Sequence, residues 1–272
     1  MGLFDLAPYG IIAGYALGAL GNFFALPANK EGVRKLASVC TLAGFAVHSL
    51  YMLAVLLTRN ASDVSKGDFL QLMAWCLVLV YCVCWRKGRL TYLSLTVAPF
   101  ALLLCIASFG AESVRATLPP TLAPLFLLLH IGSLSLAFAL LAGGFGAALL
   151  FLHMENKIKS KAGFSAFDDS LPALSAFDAV NGKAVLWGFP LYTLGIAAGF
   201  IWAGITWGHM LSWDPKELLS LGIWFLFALL FHQRLALGWQ GKKAAVMLIG
   251  LFAASFVSVM ANFFLISHHS FF

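Results

Sequence analysis

The chain has 272 residues, of which 61% are hydrophobic and 10% charged, with a formal net charge of +6. A soluble domain is nearer a quarter charged, so this composition, with 25 Phe and 8 Trp, excludes an ordinary soluble enzyme and points to a polytopic membrane protein. Its apolar residues fall in continuous runs rather than alternating segments, which excludes a transmembrane β-barrel.

A bilayer crossing needs about 20 mostly apolar residues. Eight stretches meet that need, at about 8–27, 35–58, 68–85, 90–109, 123–151, 186–206, 218–237 and 244–266. Lipid cannot satisfy exposed backbone groups, so the expected fold is all-α, a helix bundle forming a single membrane domain over residues 1–272. The first stretch follows Asp5 rather than a basic segment, so it is expected to stay as a helix instead of being removed as a signal peptide.

Span two carries His48 near its middle. Cys40, Cys76, Cys82, Cys84 and Cys105 all fall in expected spans, and no CxxC or CxxCH occurs. Neither a thioredoxin-like redox site nor covalent haem attachment to this chain is therefore indicated, and the cysteines read as small apolar fillers. The segment "GAESVRATLPPTLAP" suggests an interfacial turn before span five. That span holds His130 in its outer part and His153 at its inner end. The stretch at about 154–184 is the longest polar one, expected as a surface loop with a short amphipathic piece.

Spans six and seven flank "WGHMLSWDPKE" at 207–217, which is aromatic and charged where its neighbours are greasy. Trp202, Trp207 and Trp213 suit either an interfacial belt or a flat aromatic platform with N–H donors. Asp214-Pro215 is a helix-start pattern, an acceptor at the cap followed by proline at the first helical position. Glu217 then sits in the first turn, where a carboxylate suits the helix dipole. His232 lies near the inner end of span seven, and His268 and His269 end span eight.

The positive charge sorts by loop. The loops after spans one, three, five and seven hold thirteen of the seventeen Lys and Arg, leaving Arg59, Lys66, Arg115 and Lys216 for the alternate loops. This is no nucleic-acid signal. The positive-inside rule puts both termini and the aromatic segment outside. Ionisable residues at membrane depth suggest function, and imidazole is a common haem-iron ligand. The outer histidines are then His130, His209, His268 and His269, with His48 and His232 deeper. The other reading of each is a histidine bonded to a neighbouring helix.

Residues 187–241, "WGFPLYTLGIAAGFIWAGITWGHMLSWDPKELLSLGIWFLFALLFHQRLALGWQG", closely resemble the tryptophan-rich "WWD" region of the haem-handling proteins of cytochrome c maturation. The "DPKE" continuation looks like the CcsA/ResC branch, system II. The likeness extends to "LLLHIGSLSLAFALLAGGFGAALLFL" and to the last helix, where Asn262 precedes His269. It implies that His130 and His269 form an outer pair on haem iron, with His268 and His209 as further candidates. It implies a platform of Trp202, Trp207, Trp213 and Asp214 in a segment spanning 202–217, and an intramembrane pair, His232 with His48. The cargo would be haem b, bound without a covalent link and presented to the CxxCH thiols of an apocytochrome c. The chain would then be a subunit of a holocytochrome c synthase, acting with a CcsB/ResB-type membrane protein and indirectly with a thioredoxin-like reductant. Its setting would be a bacterial cytoplasmic or thylakoid-type membrane.

Two positions depart from the family pattern. Leu211 stands where it has a tryptophan, and Phe271 where it has a tyrosine. Leu211 shrinks the aromatic platform and favours an alternative, a HemX-type haem-binding regulator or exporter without ligation activity; the intact "WDPKE" favours the synthase subunit. A haem-independent transporter with intramembrane histidines is the remote alternative.

Overall fold

A computed structural model describes residues 3–28, 31–58, 64–86, 91–111 and 122–264. Among these residues the elements are α1 (Leu3–Ala28), α2 (Glu31–Thr58), α3 (Lys66–Arg86), α4 (Ser94–Ala111), α5 (Ala123–Lys159), α6 (Ala166–Ser170), α7 (Leu174–Trp207), α8 (Pro215–Ala236) and α9 (Gly241–Phe264), with no strand. Seven of them, α2 to α5 and α7 to α9, are long and apolar enough to cross a membrane. The chain is thus a polytopic helical membrane protein. The first expected span is also a helix, of 26 residues.

The glycines of α1 do a packing job. Helices in lipid gain nothing from burying apolar surface against each other, so close backbone contact between small residues supplies much of their attraction. A Cβ on Gly14 of α1 would lie 2.6 Å from the Gly44 Cα of α2. The two helices pack closely along their length. Their outer faces, with Leu17, Leu20, Leu53 and Leu57, are exposed, as a lipid-facing surface requires. At the centre, α5 touches α3, α4, α7 and α9. Small residues on α5, among them Ala137, Ala142 and Ala147, are fully buried there and let these neighbours approach.

Two departures from the expected boundaries matter. Helix α7 begins at Leu174 rather than about 186 and runs for 34 residues, about 50 Å of helix against a hydrocarbon core of about 30 Å. Its polar first third is helical, and Asp178 within it is bonded to two other helices. Asp178 takes a bidentate pair with Arg234 of α8 at 3.0 and 3.3 Å, and its Oδ1 also accepts the N–H of Gly241, the first residue of α9, at 2.9 Å. One carboxylate thereby ties three helices together.

The other departure lies just before it. Ser165 and Asp168 form a reciprocal capping box on α6: Asp168 Oδ2 accepts the Ser165 N–H at 2.8 Å, and Ser165 Oγ accepts the Asp168 N–H at 3.3 Å. Asp168 Oδ1 meets His153 Nε2 of α5 at 2.7 Å, and Lys157 lies 3.4 Å from Oδ2. The backbone hydrogen bond from Ser165, then the His153 contact, hold the Asp168 carboxyl well below the usual carboxylate range. The stretch expected as a polar surface loop is therefore a fixed corner, and His153 is one of its fasteners.

Candidate functional site

The opposite end of the bundle is built differently. A cavity of about 320 Å³ opens there between α3, α5, α7, α8 and α9, at the small end of the usual range for ligand pockets. Phe69 and Met73 of α3, Phe138 of α5 and Ile223 of α8 give it apolar walls. Its charged groups and imidazole come from His130, from Lys66, and from Asp214, Lys216 and Glu217 where α8 begins, and four serines and Tyr192 add hydroxyls.

The sequence creates this end through its turns. Asp214 caps α8, its Oδ1 accepting the Lys216 N–H at 2.9 Å, with Pro215 at the first helical position as expected. Glu217 Oε2 accepts the Ser212 N–H at 2.8 Å and fixes the strand of chain that leads into the cap. Helix α7 stops at Gly208, whose φ of +79° is the left-handed conformation that glycine adopts without penalty. Trp213, just before the cap, also has a positive φ, +61°, which a non-glycine residue adopts only when its surroundings hold it there.

His130 is placed by a feature that the sequence reading missed. The turn Leu127–Gly132 in α5 is a π-helical turn, wider than an α-turn, and such turns recur at functional sites. Ser133 Oγ donates to the Leu129 and His130 carbonyls at its end. The His130 ring leans across to α7, where its Nδ1 lies 2.7 Å from the Gly195 carbonyl oxygen. A carbonyl only accepts, so Nδ1 carries the proton and donates. Nε2 is then left with a lone pair. The ring rests over Gly199, where a Cβ would come 2.6 Å from its Cε1 and 2.7 Å from its Nδ1. Phe126 stacks on it, with centroids 4.9 Å apart and 22° between planes.

The remaining expected site residues divide among several environments. Trp207 and Asp214 line the cavity with His130. Trp202 does not; it is buried behind, against Phe126 at 4.6 Å, and its Nε1–H has no hydrogen-bond partner among the described residues. Trp213 points outward, 70% exposed, and His209 is exposed as well. The three tryptophans thus occupy three different environments: one buried, one lining the cavity and one exposed.

His48 is fully buried, its Nδ1 3.0 Å from the Tyr15 hydroxyl of α1. His232 is exposed on the outer face of α8, so the described fold does not bring these two together. His268 and His269 lie outside the described residues, as does most of the turn expected before span five.

Comparison with known proteins bears on the whole chain. The family described as "Cytochrome C assembly protein" matches residues 36–270. Among curated proteins, the cytochrome c biogenesis protein CcsA of Chlamydomonas reinhardtii is 34% identical over 186 residues, covering 66% of this chain and 51% of that protein. CcsA of Pyropia yezoensis is 28% identical over 262 residues, covering 79% of this chain and 80% of its own length. CcsA of Cyanophora paradoxa reaches 49% identity over 80 residues, covering 29% of this chain and 25% of that protein. The chain thus spans about half the length of the Chlamydomonas relative and about four fifths of the Pyropia one. With the family match running through α2 to α9 and across every wall of the cavity, the chain belongs to the cytochrome c assembly protein family.

Proposed function

We propose that this chain handles haem in cytochrome c biogenesis, receiving haem b as a non-covalent cargo in the cavity and offering His130 Nε2 to its iron. The observation that carries this reading is the seating of His130. A ring nitrogen hydrogen-bonded to a backbone carbonyl fixes the tautomer and leaves the other nitrogen as the ligand, which is how metal-binding histidines are commonly oriented. Here the Gly195 carbonyl does the fixing and a mostly apolar cavity receives the ring. Apolar walls suit a porphyrin face, and the Trp207 ring adds an aromatic edge. The protein's part is to bind and orient, while haem supplies the reactive vinyl groups.

His269 would be the opposing iron ligand, and an apocytochrome c the acceptor. A CcsB/ResB-type membrane partner would hold that acceptor, with a thioredoxin-like reductant keeping its thiols reduced. The loop charge pattern supports an outward-facing cavity. The test is the visible spectrum and pyridine haemochrome of the protein purified in mild detergent, beside His130→Ala and His269→Ala. A Soret band that weakens or shifts in both variants is the expected result. Wild-type protein that stays haem-free after purification and after titration with ferric haem would overturn the reading.

A further inference from the structure

The His130 ring and the helix it leans on meet through more than one hydrogen bond. Gly195, Gly199 and Trp202 follow one another at spacings of four and three along α7, so they share a face of that helix. The contact of Nδ1 with the Gly195 carbonyl fixes one point of the ring, and a single bond leaves a ring able to pivot about it. Gly199 lies beneath the ring. Phe126, four residues earlier on α5, stacks on its face. Phe126 is backed in turn by Trp202, with ring centroids 4.6 Å apart. Phe126 and Trp202 are each 4% exposed and pack with Ala123 as a small core apart from the main one. The Trp202 N–H has no hydrogen-bond partner among the described residues, so what Trp202 gives this core is the bulk and face of its ring. His130 lines the cavity and Trp202 does not.

We infer that Trp202 is a positioning residue: it backs Phe126, and Phe126 holds the plane of the His130 ring, so that the Nε2 lone pair keeps one direction. This rests on the haem reading above. It gives Trp202 a part other than the porphyrin contact that the sequence resemblance implies. An imidazole binds iron best with its lone pair along the bond, so a ring already held in that pose loses less freedom when the metal arrives.

The experiment uses the full chain in neutral detergent and two probes. Ferric haem is followed by its Soret band. Iron-free protoporphyrin IX, followed by fluorescence, has the same ring and carboxylates but asks nothing of a histidine. Trp202→Leu and Phe126→Leu should each weaken ferric haem about threefold to tenfold and leave the protoporphyrin affinity unchanged. Both should also broaden the ferric EPR signal, which reports the orientation of the imidazole plane. Trp202→Phe should keep most of the haem affinity, because it keeps an aromatic face and loses no hydrogen bond. Equal weakening of both probes in Trp202→Leu would make Trp202 a porphyrin contact and overturn the inference. A lower melting temperature with haem affinity and EPR signal unchanged would make it core packing alone, and overturn it too. If Trp202→Leu does not fold, Phe126→Leu decides: haem affinity unchanged there overturns the inference. Failure of wild type to bind ferric haem removes the haem reading, and this inference with it.

Discussion

The two ends of the bundle are held by different kinds of interaction. At the end near Asp178 and Asp168, charged groups are spent on other parts of the fold: Arg234 on Asp178, Asp178 on Gly241, and His153 and Lys157 on Asp168. At the His130 end Asp214 and Glu217 fix the turn that starts α8, and the His130 ring sits beside a cavity with its Nε2 lone pair unspent on the Gly195 carbonyl. One end closes the structure and the other borders a cavity. A variant at the first should cost stability without touching ligand binding, and a variant at the second should do the reverse.

The largest stability effect is expected from Asp178→Ala. It strands Arg234, which is 11% exposed, and removes a partner of α9, costing about 3 kcal/mol. Thermal unfolding in detergent should fall clearly while haem titration is unchanged; a fall in haem affinity at full stability would dissolve the division.

His48→Leu should come next, at about 2 kcal/mol, because the Tyr15 hydroxyl then lacks its acceptor in the packed α1–α2 region. Adding Tyr15→Phe should restore part of the loss. A haem spectrum that depends on His48 would instead move that histidine to the receptive side of the comparison.

Gly199→Ala tests the opposite end. Its Cβ must push the His130 ring off its seat, so haem affinity should drop about tenfold, or about 1.4 kcal/mol, with a small change in melting temperature. Unchanged affinity would mean that the seat does not orient the ligand.

The smallest effect is in acid. The folded Asp168 carboxyl titrates below its unfolded value, which is about 3.9. The unfolded chain therefore binds the proton more readily. The contribution of Asp168 is full above about pH 4 and fades as pH falls from there through the folded value. Asp168→Asn should lower stability at pH 6 and flatten the acid limb that this residue contributes. An identical acid limb in wild type and variant would remove Asp168 from the corner's electrostatics.

Much of this architecture can be read from the residues. Continuous apolar runs mark the helices, and Asp214-Pro215 marks the start of α8, where the cap is found. What escapes such reading has a common cause. A span that is apolar on every side has no stripe to say which face packs, so Trp202, Trp207 and Trp213 look alike in sequence, although one is buried, one lines the cavity and one is exposed. Span boundaries drawn from apolarity end where polar residues begin. Asp178 and Asn181 are polar but lie in a buried or half-buried interface, so α7 continues through them. The Ser165-x-x-Asp168 spacing, a capping-box pattern, was a signal available for the short helix α6.

The π-turn around His130 has a consequence for how this helix can change. A wider turn accommodates one residue more than an α-turn, so it works as a phase shifter: residues before Leu127 and after Gly132 are rotated relative to one another by about 100° compared with an uninterrupted α-helix. Deleting a single residue within that turn would leave the composition almost untouched and the span long enough to cross. It would close the turn to an ordinary α-turn and leave both flanks facing the neighbours they face now. What the deletion would remove is the local outward set of the backbone from which His130 reaches α7.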